Sequence, residues 1–223
     1  MKIQLACAIL VGAAMGLQAT PVCSTTGNYA FLESLGPGGC TIGDKTFSDF
    51  TYSASLVPDT GLTFTAIDSG PSAIGFLFAV SLSASAGETN TLGVEYTVTG
   101  TNIEDAKITL ASTATGSGAT ASDSETICPG HAIIGCASSL PLNAFDNAGE
   151  QSKSSDDITF APVGTLGVLD HVNVVGGGEF ASVSLFSDTV SQTSAVPEPG
   201  YEGVLAVCMC AVLMFTRPRK KTA

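Results

Sequence analysis

The sequence predicts an all-β protein, a β-sandwich or jelly-roll-like ectodomain over residues 20–190, flanked by an N-terminal signal peptide and a C-terminal hydrophobic helix. Three observations predict it. Short segments alternate apolar and polar residues at period two, the pattern of a half-buried strand. Clusters of Gly, Pro, Asp and Ser separate these segments. No stretch of the body carries a long stripe at the helical period.

The chain opens with MKIQLACAILVGAAMGLQATPVC, which reads as a signal peptide over residues 1–19. Lys2 supplies the positive start, Ile3 to Leu17 the apolar region, and Ala19 a small residue before the cut. Leu5-Ala6-Cys7 loosely resembles a lipoprotein processing site, but almost no apolar region precedes it. A short helix is expected around Gly27–Leu35, packed on one end of the sandwich.

The strands follow in order. Phe47–Ala54 places Phe50 and Tyr52 on one face, and Gly61–Ala66 is the next segment. Ile74–Leu82 is the clearest, with Ile74, Phe76, Phe78, Val80 and Leu82 on one side. Leu92–Thr99 turns Leu92, Val94, Tyr96 and Val98 inward. Lys107–Ala111, Ile158–Phe160, His171–Val175 and Ala181–Leu185 complete the set. Turns are expected at Gly36–Gly39, Pro58–Gly61, Asp68–Pro71, Gly116–Gly118 and Gly176–Gly178. Residues 112–126, STATGSGATASDSET, read as a mobile loop or turn between strands, with a glycosylated or ligand-binding loop as the functional alternative. Residues 187–196 read as part strand and part linker, and the linker with its Pro-Glu-Pro motif is assigned to 191–199. About eight strands with regular turns close a core by stacking two half-apolar sheets.

Seven cysteines sort by position. Cys7 leaves with the signal peptide, and Cys208 and Cys210 lie in the C-terminal apolar run. Cys23, Cys40, Cys128 and Cys136 remain in the exported body, an even set that reads as two disulfides. Three pairings exist. Cys23–Cys40 with Cys128–Cys136 is favoured, because each is local and bounded by Gly or Pro. A zinc site using His131 between Cys128 and Cys136 is the alternative, without C-x-x-C spacing or a second nearby histidine.

The chain carries 20 Asp and Glu against 8 Lys and Arg, a formal charge of −12. Between residues 20 and 196 the only cations are Lys45, Lys107 and Lys153, whereas every acid but Glu198 and Glu202 lies there. A surface so acidic repels phosphate backbones, so no nucleic-acid partner is expected.

Catalytic chemistry is sparse. Neither His131 nor His171 sits in a recognisable motif, and no G-x-S-x-G, H-E-x-x-H or P-loop occurs. His171 is expected at a sheet edge. The acid pairs Glu104-Asp105 and Asp156-Asp157 read as solvated turn acids, with calcium binding as the functional alternative. No other cofactor is expected. Glycosidases need two carboxyls across a sugar, and neighbours on a strand point to opposite faces. Trp is absent, and Tyr29, Tyr52 and Tyr96 fall in or near core registers, so a sugar platform has no obvious ring.

The end of the chain is the most specific segment. Val196, Pro197, Glu198 and Pro199 form a rigid spacer. Residues 200–216 are largely apolar, and Arg217, Arg219, Lys220 and Lys221 form a basic stop within a tail of residues 217–223. The apolar run is short for a bilayer core, which suits an anchor that holds only until it is cut. Positive-inside orientation keeps the tail cytoplasmic and the acidic body outside.

This tripartite ending, from Val196 to Ala223, resembles the PEP-CTERM sorting signal of Gram-negative bacteria. The resemblance implies a substrate of an exosortase, a membrane-embedded transpeptidase-like protease that cuts near the triplet. It implies inner-membrane anchoring until processing, then a surface or matrix location in bacteria that make exopolysaccharide. Cys40-Thr-Ile-Gly-Asp-Lys-Thr-Phe-Ser-Asp-Phe50 is similar to the start of many ectodomains of that family, which implies a β-sandwich module of unknown activity. The expectation is therefore a structural or adhesive, non-enzymatic protein of the envelope or biofilm. A carbohydrate- or calcium-binding surface module is the alternative, and a secreted hydrolase the third reading.

Overall fold

The computed structural model describes residues 20–192 apart from Gly135 and Ala137. The expected signal peptide, the sorting motif, the expected helix over 200–216 and the basic tail lie outside the described residues, as does the expected linker beyond Gln192; its first two assigned residues, Ser191 and Gln192, belong to the last strand. Among those described, no helix is long and apolar enough to cross a membrane.

Eleven antiparallel strands form one continuous sheet that folds over on itself. They are β1 (Thr26–Asn28), β2 (Cys40–Ile42), β3 (Lys45–Ala54), β4 (Thr63–Asp68), β5 (Ile74–Ser85) and β6 (Thr89–Thr115). Then come β7 (Thr120–Pro129), β8 (Leu140–Asn147), β9 (Ser152–Lys153), β10 (Ser155–Val175) and β11 (Phe180–Gln192). Among the described residues one α-helix, α1 (Tyr29–Ser34), lies where a short helix was expected. Asn28 caps it by accepting a hydrogen bond from the Phe31 N–H at 3.1 Å.

Two long strands build the sandwich. β6 runs 27 residues and β10 runs 21, so both pass through the two layers. The first half of β6 pairs with β3 and with the second half of β10, which continues to β7, β8 and β9. The second half of β6 pairs with β11, which continues to β5, β4 and β1. The sequence reading took Leu92–Thr99 and Lys107–Ala111 as separate strands, and likewise Ile158–Phe160 and His171–Val175. Each pair is one strand bent at a corner. In β6 the corner falls between Gly100 and Asn102, whose φ is +52°. In β10 it falls where the register slips between Thr159 and Thr165, around Pro162, which has no N–H to give to a ladder.

The corner is filled by Lys45, which is fully buried. Its ammonium pairs with Asp44 at 2.8 Å, donates to the Thr101 carbonyl at 3.0 Å, and also meets Gln192. A Cβ on Gly100 would lie 2.3 Å from Lys45 Cδ, so only glycine fits there.

Between the layers sits an aromatic core of Tyr29, Phe47, Phe50, Phe64, Phe76, Phe78, Tyr96 and Phe186. Phe47 of one layer meets Phe76 of the other edge to face at 4.9 Å. Phe47 and Phe50 are three apart yet both buried, because Asp49 at φ +57° makes a bulge that resets the register. Tyr52, read as inward with Phe50, is only half-buried and donates to the Val57 carbonyl at 2.7 Å. The inward residues assigned to Ile74–Leu82 and Leu92–Val98 are all buried.

The favoured cysteine pairs both form. Cys23–Cys40 ties the N-terminal segment to β2, and Cys128–Cys136 closes a loop after β7. Both cysteines beside His131 are therefore consumed, and the zinc alternative is ruled out. Closing loops of these lengths contributes about 2–3 kcal/mol each in the chain-entropy view.

Residues 112–126 hold the expected turn between strands, but most of the stretch is strand rather than loop. They form the end of β6, a turn at Gly116–Gly118 and the start of β7. The strand was hidden because β7 turns Ala121, Asp123 and Glu125 inward before Ile127, so its core face does not look apolar. His171 also departs from expectation. It lies in the interior of β10, in register with Gly93 of β6 and Ser124 of β7, exposed on the outer face rather than at an edge.

Candidate functional site

Four acids are turned into the sandwich. Alternation along β7 brings Asp123 and Glu125 to its inner face. Alternation along β10 does the same for Asp170, between buried Val168 and Val172. From the other layer, β11 contributes Asp188, between buried Phe186 and Val190. Glu125 stands in register with Asp170 across the β7–β10 ladder. None of the four is more than 2% exposed.

Asp123, Asp170 and Asp188 each place a carboxylate oxygen within 4.8 Å of the other two. Tyr96 of β6, also buried, donates its phenol to Asp188 Oδ2 at 3.2 Å. The remaining oxygens are largely without partners: both of Asp123, both of Asp170, Oδ1 of Asp188 and Oε2 of Glu125. Burial pushes Asp123, Glu125 and Asp170 well above the usual carboxylate range, and repulsion from the neighbouring acids adds to it. Asp188 is raised to about 6, because burial outweighs the lowering effect of the neighbouring Asp170 carboxyl and of the Tyr96 phenol. Burial, reinforced by Asp188 and other acids, also lifts the Tyr96 phenol well above its ordinary value. Chemically the arrangement is a closed nest of oxygen donors, suited to a hard cation or to shared protons, and shut to a substrate.

The acid pairs singled out in the sequence fall elsewhere, and not in turns. Glu104 and Asp105 lie within β6, Asp156 and Asp157 within β10. Asp105 accepts from the Ser191 N–H at 2.9 Å and from the Ser191 hydroxyl. Asp156 pairs with Lys153 at 2.5 Å and accepts from the Asn143 N–H at 2.9 Å. Partial burial pushes Asp156 up, but these partners outweigh it and leave its pKa below the usual value. The metal-ligating cluster among the described residues is the interior trio, with neither pair in it.

Two shallow grooves open to solvent. One, of about 480 Å³, runs over the outer face of β6, β10 and β11 and is lined by Asp105, Lys107, Thr109, Asp157, Ser187 and Thr189. The other, of about 330 Å³, lies between Pro37, Asp49, Thr51, Glu95 and Ile133. Tyr29 and Tyr96 are buried, and Tyr52 is half-buried with its hydroxyl on the Val57 carbonyl. Among the described residues, the exposed rings are Phe31, stacked near Phe64, and Phe180.

No protein-family profile matches the chain, and no curated protein matches it. Solved structures with similarity include TmCBM61 in complex with β-1,4-galactotriose, at 9% identity and a TM-score of 0.36, covering 63% of this chain and 88% of that one. Another is from work on the promiscuous specificity of carbohydrate-binding modules of the β-sandwich superfamily, at 16% identity and a TM-score of 0.30, covering 79% and 64%. A third is the enzymatically active domain of tailspike protein 4 of bacteriophage CBA120, at 14% identity and a TM-score of 0.29, covering 75% and 21%. Likeness this low transfers no function.

Proposed function

We propose that this chain is an exported cell-surface or extracellular-matrix protein, handed to an exosortase by its C-terminal Pro-Glu-Pro signal, with a structural or adhesive role in the envelope or biofilm. The observation that carries the reading is the use of all four body cysteines in two disulfides, which suits an oxidising compartment. The signal-like start and the tripartite end of the sequence support the same route. A non-catalytic role is supported by the placement of the carboxylate cluster found among the described residues, which is shut inside the sandwich. Fractionating cells with and without the exosortase tests the route. Enzyme-dependent loss of the protein from the inner membrane is expected. Retention in the membrane in both strains sinks the sorting reading and makes residues 200–216 a permanent anchor.

A second reading gives the outer groove a ligand. Its acids, hydroxyls and one lysine are the groups that hydrogen-bond sugar hydroxyls. Under this reading the module binds exopolysaccharide along β6, β10 and β11. Calorimetric titration with polysaccharide from the same cells should show binding that Lys107→Ala and Asp157→Ala weaken. Binding unchanged in both variants, or absent from the parent, removes this reading.

A further inference from the structure

We propose that Asp123, Asp170 and Asp188 form an internal calcium site that stitches the two layers of the sandwich together. The proposal stands independently of how the protein is delivered and of whether the outer groove binds sugar.

The first support is geometric. The three carboxylates come from β7 and β10 of one layer and from β11 of the other. One oxygen of each lies within 4.8 Å of the other two. Calcium takes oxygen ligands at about 2.3–2.6 Å, so ligands on opposite sides of the ion stand about 5 Å apart. The donor set is all oxygen, which selects a hard cation over zinc or copper. Magnesium demands near-ideal octahedral geometry and keeps several waters, and a fully buried nest whose acids alternate with buried Val168, Val172 and Phe186 is a poor place for them.

The second support is the fate of the remaining oxygens. Both oxygens of Asp123, both of Asp170 and Oδ1 of Asp188 have no hydrogen-bond partner. Glu125, 2% exposed, brings a further unpartnered oxygen to the same inward face beside Asp123 and opposite Asp170. Native interiors leave few such groups unsatisfied. An ionised carboxylate in a low-dielectric interior costs several kcal/mol unless compensated.

Compensation is not supplied by the protein's own cations. Among the described residues Lys45 is committed to Asp44, Thr101 and Gln192 at the corner. Lys107 and Lys153 are exposed. Tyr96 reaches the nest from β6, and its phenol satisfies a single oxygen of Asp188. Tyr29 nearby spends its hydroxyl on the carbonyls of Thr51 and Glu95. A dication satisfies several orphaned oxygens at once and removes most of the repulsion among the acids.

A site so enclosed takes up its ion as the chain folds and releases it slowly once folded. The test therefore uses the full-length protein, purified without chelator, then unfolded and refolded either with EDTA or with calcium. Elemental analysis of the purified protein should find near-stoichiometric calcium. The EDTA-refolded protein should melt at a lower temperature, and calcium, not magnesium, should restore it. Asp170→Asn and Asp123→Asn should each weaken calcium binding by about tenfold or more. Because asparagine is neutral and nearly isosteric, these variants should fold and melt at a temperature that no longer responds to calcium. Should a variant fail to fold, the parent protein's metal content and its response to EDTA still decide the matter. A parent that holds no calcium and refolds identically with EDTA and with calcium overturns the proposal in favour of shared protons. So does restoration by magnesium alone, or calcium binding unchanged in both variants.

Discussion

Tyr96 and Asp188 meet across the sandwich, the phenol of one layer donating to the carboxylate of the other at 3.2 Å, with both side chains closed off from solvent. The bond places a polar link in the middle of an aromatic core. Removing it leaves another orphaned oxygen in a nest that already has several. Tyr96→Phe should therefore cost about 1–3 kcal/mol by chemical denaturation, despite keeping the ring and its packing. A variant as stable as the parent would show that the bond contributes nothing net.

Without a bound cation the nest is neutralised by protons, and this gives a defined pH response. Burial raises Asp188 to about 6 and pushes Asp123, Glu125 and Asp170 well above the usual carboxylate range. An acid raised on folding contributes its stability below its unfolded value, about 4, and loses it as pH climbs through the folded value. The chain refolded in EDTA should thus weaken from about pH 4 upward through pH 6 and beyond. Calcium should flatten that slope. Urea midpoints measured across this range in EDTA would contradict the account if they were level.

The corner at Gly100 supplies a steric prediction. A methyl there would lie 2.3 Å from the buried stem of Lys45, whose head holds Asp44, Thr101 and Gln192 together. Gly100→Ala should destabilise by about 1–3 kcal/mol. Gly38→Ala, where nothing lies within 4 Å and φ is not positive, should be near neutral by the same measurement. Equal effects at the two positions would argue against the packing at the corner.

Much of this fold could be read from period-two alternation. Ile74–Leu82 and Leu92–Val98 name their buried faces directly, because every inward position is apolar. The corner strands could not be read as single strands, since Gly100 and Pro162 look like breaks and are bends within continuous ladders. The interior site was missed for a related reason. In β7 the inward register runs Ala121, Asp123, Glu125, Ile127, so hydropathy alone reports a polar loop. The signal was present in two places: Asp170 sits between buried Val168 and Val172, and Asp188 between buried Phe186 and Val190, each in an otherwise apolar register. Comparing strand registers, rather than searching for adjacent acids, would have found them. Glu104-Asp105 and Asp156-Asp157 drew attention by adjacency, which on a strand sends side chains to opposite faces.

The two disulfides give a stability prediction that separates them. Replacing Cys23 and Cys40 together by serine frees the N-terminal segment from β2, and replacing Cys128 and Cys136 together opens the loop after β7. Each pair should cost about 2–3 kcal/mol, the longer Cys23–Cys40 loop the more, and the two losses should add when combined. Unfolding midpoints with and without reductant measure this. Parent protein indifferent to reductant in the denatured state would show that the bridges do not form.

The most direct test of the whole account is the intact mass of the protein recovered from its own cells. The account predicts a chain that has lost its first 19 residues, ends near Pro197–Pro199, and is four hydrogens light for the bonds Cys23–Cys40 and Cys128–Cys136. A full-length mass with all thiols reduced would contradict export, processing and oxidation together.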